Sequence, residues 1–164
     1  MEQLNNRTTI LGIDPGLASI GWGIIKKEKS KISIINYGCV NTSPEDPYSK
    51  RLKLIHNNLI IIIKKYKPNI VAIEKLFFAK NTKTALKVSE VRGVIHLTAI
   101  LLNVPIIEFT PLQIKQAITG YGRADKNQMG QMVKQELCLK EVPAPDHCAD
   151  ALATAITCAY TKKY

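Results

Sequence analysis

Apolar residues recur along this chain in two rhythms. Ile10-Leu11-Gly12-Ile13 is a short unbroken apolar run closed by Pro15-Gly16, which reads as a buried strand ending in a turn. Ile20 to Ile25 and Lys31 to Val40 supply two more strand candidates, so the chain opens as a β-meander. From Lys50 to Tyr66 the rhythm changes. Leu52, Ile55, Leu59, Ile62 and Ile63 fall at helical spacing, and Pro68 ends the helix. Ile70 to Glu74 is a short strand returning beside the first. Thr82 to Asn103 reads as a long helix with Val88, Val91, Ile95, Thr98 and Leu102 along one stripe; it is too apolar to have only one covered face. Val104 to Phe109 is a further strand, followed by a helix from about Pro111 to Thr119. Gly120-Tyr121-Gly122 breaks that helix, and helical spacing resumes from Lys126 to Leu139. Val142-Pro143-Ala144-Pro145 is a stiff loop, and a last helix runs from His147 to about Tyr160. The order β-β-β-α-β-α-β-α-α-α predicts an α/β fold, a mixed five-stranded sheet flanked by helices. With no internal repeat, low-complexity tract or linker, residues 1–164 are expected to form one domain.

Composition narrows the partner. The 164 residues are enough for one packed core. Lys and Arg number 23 against 13 Asp and Glu, a net charge of +10 with a pI near 9.5, which favours a polyanion: nucleic acid first, an anionic membrane second. Cys39, Cys138, Cys148 and Cys158 form no Cys-x-x-Cys pair, and the separation of Cys148 from Cys158 is not a zinc-ligand spacing. Reduced, half-buried thiols in a cytoplasmic protein are the expectation. The polar start lacks the apolar segment of a signal peptide, and the run Leu59 to Ile63 is cut by Lys64-Lys65, so no membrane span is expected.

The chemistry lies in acids at strand ends. Asp14 closes the first apolar run and Glu74 closes Ile70-Val71-Ala72-Ile73. Asp-Pro-Gly alone is also a turn signal, but an acid directly after an interior strand, as at Glu74, has no turn to make. If the two strands are neighbours, the two carboxylates stand together. Asp150 sits in the small-residue segment Ala149-Asp150-Ala151-Leu152-Ala153, whose alanines would let that helix lie close to the sheet. Carboxylates gathered from distant segments repel one another unless a cation joins them, and a divalent metal with hard oxygen ligands is the usual answer. His147 and Asp146 both share a helix face with Asp150 by spacing, which does not choose between them. Asp146, following Pro145, is also placed to be an N-cap.

A basic stretch follows Glu74: Lys75, Lys80, Lys83, Lys87 and Arg92 are opposed only by Glu90. Phe77 and Phe78 stand among polar residues, where one ring could stack on an unpaired base while the lysines hold phosphates. Lys115, Arg123 and Lys126 frame the Gly120-Tyr121-Gly122 loop.

Together Gly-Ile-Asp-Pro-Gly (12–16), Arg51-Leu52-Lys53-Leu54-Ile55, Ala72-Ile73-Glu74-Lys75-Leu76-Phe77 and Ala149-Asp150-Ala151-Leu152-Ala153 resemble the RuvC family of Holliday-junction resolvases. The segments from Ala79 to Gly93 and from Gly120 to Gln128 are also similar, so the resemblance spans essentially the whole chain in order. It implies a ribonuclease H-like fold, a homodimer, a branch-migration helicase complex (RuvA and RuvB) as partner, and paired incisions across four-way DNA in recombination and repair. It also implies Mg²⁺, two ions per active site, with Mn²⁺ as a substitute. By that resemblance Asp14, Glu74, His147 and Asp150 hold metal and catalyse. That fourth position is often Asp in the family and His in some members. Phe77 matches a residue inserted near the junction centre, Lys115 and Lys126 match lysines beside the scissile strand, and Phe78, Lys80, Lys83 and Arg123 are further expected DNA contacts. Two other readings compete. Gly-Ile-Asp-Pro-Gly with Gly21-Trp22-Gly23 resembles the phosphate hairpin of actin-like ATPases, but those need two lobes. A catalytically dead nucleic-acid-binding module is disfavoured by the intact acidic set.

Overall fold

A computed structural model describes residues 7–76 and 82–161, with side chains in the second stretch from residue 85 onward. The strands are β1 (Arg7–Asp14), β2 (Ser19–Glu28), β3 (Lys31–Asn41), β4 (Ile70–Glu74) and β5 (Ile106–Phe109). The helices are α1 (Tyr48–Tyr66), α2 (Thr82–Leu101), α3 (Pro111–Thr119), α4 (Lys126–Glu136) and α5 (Asp146–Tyr160). The strands form one mixed sheet in the order β3-β2-β1-β4-β5. β1, β2 and β3 pair antiparallel, while β4 runs parallel to both β1 and β5. The expected fold class is the observed one.

Strand residues alternate between two apolar layers, because successive side chains leave a strand on opposite faces. Leu11, Ile13, Val71 and Ile73 pack with Ile55, Leu59, Val91 and Ile95 of α1 and α2. Ile10, Ile70 and Ala72 pack with residues of α3, α4 and α5. Both faces are therefore covered, which is why β1 and β4 read as continuous apolar runs.

α5 lies unusually close to the sheet. A Cβ added at Gly12 would stand 2.0 Å from the carbonyl oxygen of Ala151, and one at Gly21 would stand 1.9 Å from that of His147. At Gly23 it would meet Leu152 Cδ2 at 2.5 Å. Gly12 and Gly23 are cross-strand partners, as are Asp14 and Gly21, so the three glycines form a shallow floor across β1 and β2. Ala151, Ala153, Ala155 and Ala159 are the complementary small residues of a helix whose residues 151–159 are all buried.

The element ends carry the differences from expectation. Val104 is not in a strand: Asn103 adopts φ 57°, and the N–H of Val104 donates to Ala99 O at 2.9 Å, closing α2. α4 stops at Glu136, because Cys138 turns left-handed at φ 51°. α5 begins at Asp146, with Pro145 in the N-cap position and no side-chain capping bond, so the expected cap at Asp146 is corrected. Asp146 is instead a first-turn acid facing the positive end of the helix. The capping boxes belong to α3, where Thr110 and Gln113 bond reciprocally, and to α4, where Asp125 and Gln128 do.

Gly12→Ala should lower stability by about 3 kcal/mol or more, the upper range for overpacking, because its Cβ meets backbone rather than a movable side-chain tip. Urea denaturation checks this; a loss under about 1 kcal/mol would show that α5 can lift off the sheet at little cost.

Candidate active site

Strand parity places the first two acids. Ile10, Gly12 and Asp14 alternate onto the α5 side of β1, as Ile70, Ala72 and Glu74 do on β4. The parallel register pairs Ile13 with Ile73, so Asp14 and Glu74 leave neighbouring strands side by side at the next step. α5 crosses above them and supplies His147 and Asp150 from its first turn and a half. The N–H of Lys75 donates to Phe109 O at 2.7 Å and fixes the chain directly after Glu74.

His147 Nδ1 and Asp14 Oδ2 are 2.6 Å apart. With the proton on Nδ1, the imidazole donates to the carboxylate and leaves Nε2 as a free lone pair. Lys126 Nζ stands 3.7 Å from Asp150 Oδ2 and 3.8 Å from Asp146 Oδ2. A cavity of about 220 Å³ is lined by Glu74, Asp150, Lys115, Lys126 and Thr154 among others. A neighbouring one joins Asp14, Glu74, Lys75 and Arg92. A third, of about 470 Å³, continues past His147 between Ser19, Arg51 and Lys87. The acids thus stand in connected clefts with cations on both sides.

All three acids are held above their ordinary range. Burial raises Asp14 most, with a smaller lift from Asp150, against the lowering hydrogen bond from His147. Glu74 is pushed up to about 7, first by burial and then by the charges of Asp14 and Asp150. Burial also raises Asp150, opposed chiefly by Lys126. The neighbouring cations, Lys126 at Asp150 and Arg92 and Lys115 at Glu74, only partly offset burial and mutual repulsion. Among the described residues no three His, Cys, Asp or Glu side chains converge on one point as they stand. The donor chemistry nevertheless fits a hard divalent cation: carboxylate oxygens from three segments, sharing unrelieved negative charge. Cys148, in the same turn, stays a neutral thiol, burial pushing it up to about 12.

Of the other expected residues, Lys115 and Lys126 are brought to the acids, and Arg123 is exposed in the turn before α4. Phe77, Phe78 and Lys80 lie outside the described residues, as does the side chain of Lys83. Arg92 has a sharper place than the basic stretch suggested. Its guanidinium donates to the main-chain carbonyl of Glu74 and to Glu108, and His96 Nε2 lies 3.1 Å from the same Glu108 carboxylate. Glu108 and His96 carried no signal in the sequence, because an acid on β5 and a histidine on α2 have no motif to mark them.

The Crossover junction endodeoxyribonuclease RuvC family model matches residues 10–158. Crossover junction endodeoxyribonucleases RuvC from Halothermothrix orenii and Caldicellulosiruptor saccharolyticus are 51% and 54% identical, each over 90% of this chain and 89% of its own length. Among solved structures, Thermus thermophilus RuvC in complex with Holliday junction substrate superimposes with a TM-score of 0.89 at 36% identity, covering 93% of each chain. The shared fold is ribonuclease H-like.

A buried acid raised to about 7 from an ordinary 4.5 makes the folded chain hold a proton that the unfolded chain releases. Stability therefore falls as pH rises from about 4.5 to about 7 and stays reduced above. In EDTA, Glu74→Gln should melt higher than the parent at pH 8 and alike near pH 4.5. Equal melting at both values would mean that Glu74 is not strained by its neighbours.

Proposed function

Because the chain belongs to the RuvC family of crossover junction endodeoxyribonucleases, we propose that Asp14, Glu74, His147 and Asp150 form the centre with which it cuts DNA. The protein is a Holliday-junction resolvase acting in recombination and repair. The observation that carries the site assignment is the placing of three acids, each raised by burial, along adjoining clefts that Lys115 and Lys126 also line.

The three carboxylates would hold divalent metal, Mg²⁺ in our reading and two ions per site, with Nε2 of His147 as a further donor. When bound, the ions supply activation of the attacking water and stabilisation of the leaving oxygen. Asp14 orients His147 through Nδ1, and the Arg92 bond to the Glu74 carbonyl fixes the strand end that carries Glu74. Lys115 and Lys126 offset charge growing on the phosphate in the transition state. Arg123, Lys83 and Lys80 would hold phosphates, and Phe77 or Phe78 would stack at the junction centre.

A second copy of the chain would cover α2. Leu86, Leu97, Ile100 and Leu101 are 55–68% exposed, and Gly93 lies on the same stripe with open space where a Cβ would stand. Leaving so much apolar surface on one helix in water is costly, and a two-fold partner would bury it. Two sites on one dimer would give paired incisions. The branch-migration complex of RuvA and RuvB is the partner the family implies. The whole 1–164 chain would act as a single nuclease domain, and among the described residues no helix is long and apolar enough to cross a membrane.

On a synthetic four-way junction, Asp14→Asn and Asp150→Asn should each lower Mg²⁺-dependent cleavage by at least about 10²-fold, the scale of losing one preorganised electrostatic group, while binding persists. His147→Ala should behave likewise. Asp146→Ala, which removes no capping bond but takes away the acid facing the helix start, should cost less than about 1 kcal/mol and keep most activity. Parent cleavage undiminished in EDTA would sink the metal assignment.

Sedimentation at micromolar concentration should show the parent as a dimer and Leu97→Glu as a monomer that nicks single strands without pairing its cuts. A monomeric parent making paired cuts would remove α2 as the interface.

A further inference from the structure

Two thiols meet beneath the turn that carries His147. Cys39 lies on β3, and its cross-strand partner is Gly21, the glycine directly under the His147 carbonyl. Cross-strand partners share a face, so Cys39 points toward α5. Cys148 descends from the first turn of α5 to meet it, and the two Sγ atoms are 3.2 Å apart. Cys148 is buried, whereas Cys39 is only half-buried. Neither has a part in cutting DNA as described above.

A disulfide brings its sulfurs to about 2.05 Å, so closing this pair draws them together by roughly 1 Å. The movement is shared by the two side chains, and on the α5 side it pulls on a turn held closely at two points. The His147 carbonyl already rests on Gly21, and the His147 imidazole is bonded to Asp14. A displacement of about 1 Å at a reacting centre is enough to cost about 10²-fold in rate.

We propose that Cys39 and Cys148 are a reversible disulfide site through which a peroxide ties β3 to α5 and switches cleavage down. This rests on the nuclease reading of the same turn. The half-buried Cys39 sulfur attacks hydrogen peroxide; the O–O bond breaks, leaving a sulfenic acid on Cys39 and one water. The Cys148 sulfur then attacks the Cys39 sulfur. The S–S bond forms, the S–O bond breaks, and the departing hydroxide takes the Cys148 proton as a second water. Two thiols are oxidised and one peroxide is reduced. A dithiol such as dithiothreitol reverses the change by exchange.

The test treats the full chain with hydrogen peroxide, maps peptides by mass without reduction, and measures cleavage and binding of a four-way junction. The expected result is a linked Cys39–Cys148 peptide pair, 10- to 100-fold slower cleavage with binding retained, and full recovery in dithiothreitol. Cys39→Ser and Cys148→Ala should each keep the reduced rate after peroxide. A covalent dimer on a non-reducing gel would report the exposed Cys138 instead and, without the linked pair, overturns the proposal. So does an equal loss of rate in the parent and both variants. The bond is read by mass whether or not the chain cuts. A reduced parent that leaves junctions whole therefore counts against the nuclease reading, and a missing bond counts against the switch.

Discussion

The approach of α5 to the sheet is the contact on which the site depends. Helices usually keep their distance from a sheet because side chains stand between them. Here Gly12, Gly21 and Gly23 on one side and a run of alanines on the other remove that spacing, so the carbonyls of Ala151 and His147 rest almost on the strands. Only at that range can short side chains from the helix reach acids at the strand ends. The 2.6 Å contact between His147 and Asp14 is the direct product of it. Apolar burial on both faces holds the arrangement shut, with Leu152 and Ile156 fully enclosed.

That closeness has an electrostatic cost. Asp14, Glu74 and Asp150 are each raised by burial before any mutual repulsion is added, and Glu74 reaches about 7. The protein answers only partly, with Lys126 beside Asp150, His147 on Asp14 and Arg92 on the Glu74 main chain. What remains is a centre whose negative charge is only partly offset, where a bound cation would add stability. Arg92 adds a mechanical element. Through Glu108 and His96 it ties α2 and β5 to the end of β4, so the helix bearing the exposed apolar stripe also braces the strand that carries Glu74.

Much of this was legible before any coordinates. β4 and α3 begin and end where the pattern of apolar residues put them, and the acids closing β1 and β4 were visible because a carboxylate after an interior strand has few other uses. The positions of Lys115 and Lys126 came from resemblance rather than from spacing, since an isolated lysine carries no local signal. Other features were hidden for physical reasons. The cap expected at Asp146 failed because the helix starts one residue earlier, and proline fills the N-cap position without an acceptor to offer. The meeting of Cys39 and Cys148 depends on α5 crossing over β2 and β3, a long-range packing that no periodicity reveals. The Arg92–Glu108–His96 cluster is likewise assembled from α2 and β5 across the fold.

The glycine floor also acts as a proofreader. Strand side chains alternate, so a slip of one residue in the pairing of β1 would turn Asp14 away from its companions. In an apolar strand covered on both faces, little in hydrophobicity alone would penalise the error, since isoleucine and leucine suit either layer. The slipped register would, however, bring Leu11 or Ile13 beneath α5 in place of Gly12, where the helix backbone leaves no room even for a methyl group. A misregistered chain would be unable to seat its last helix and would fail to close its core. The sequence that lets the acids meet thus also removes the mis-threaded form, and the molecules that fold are those whose carboxylates face the same way.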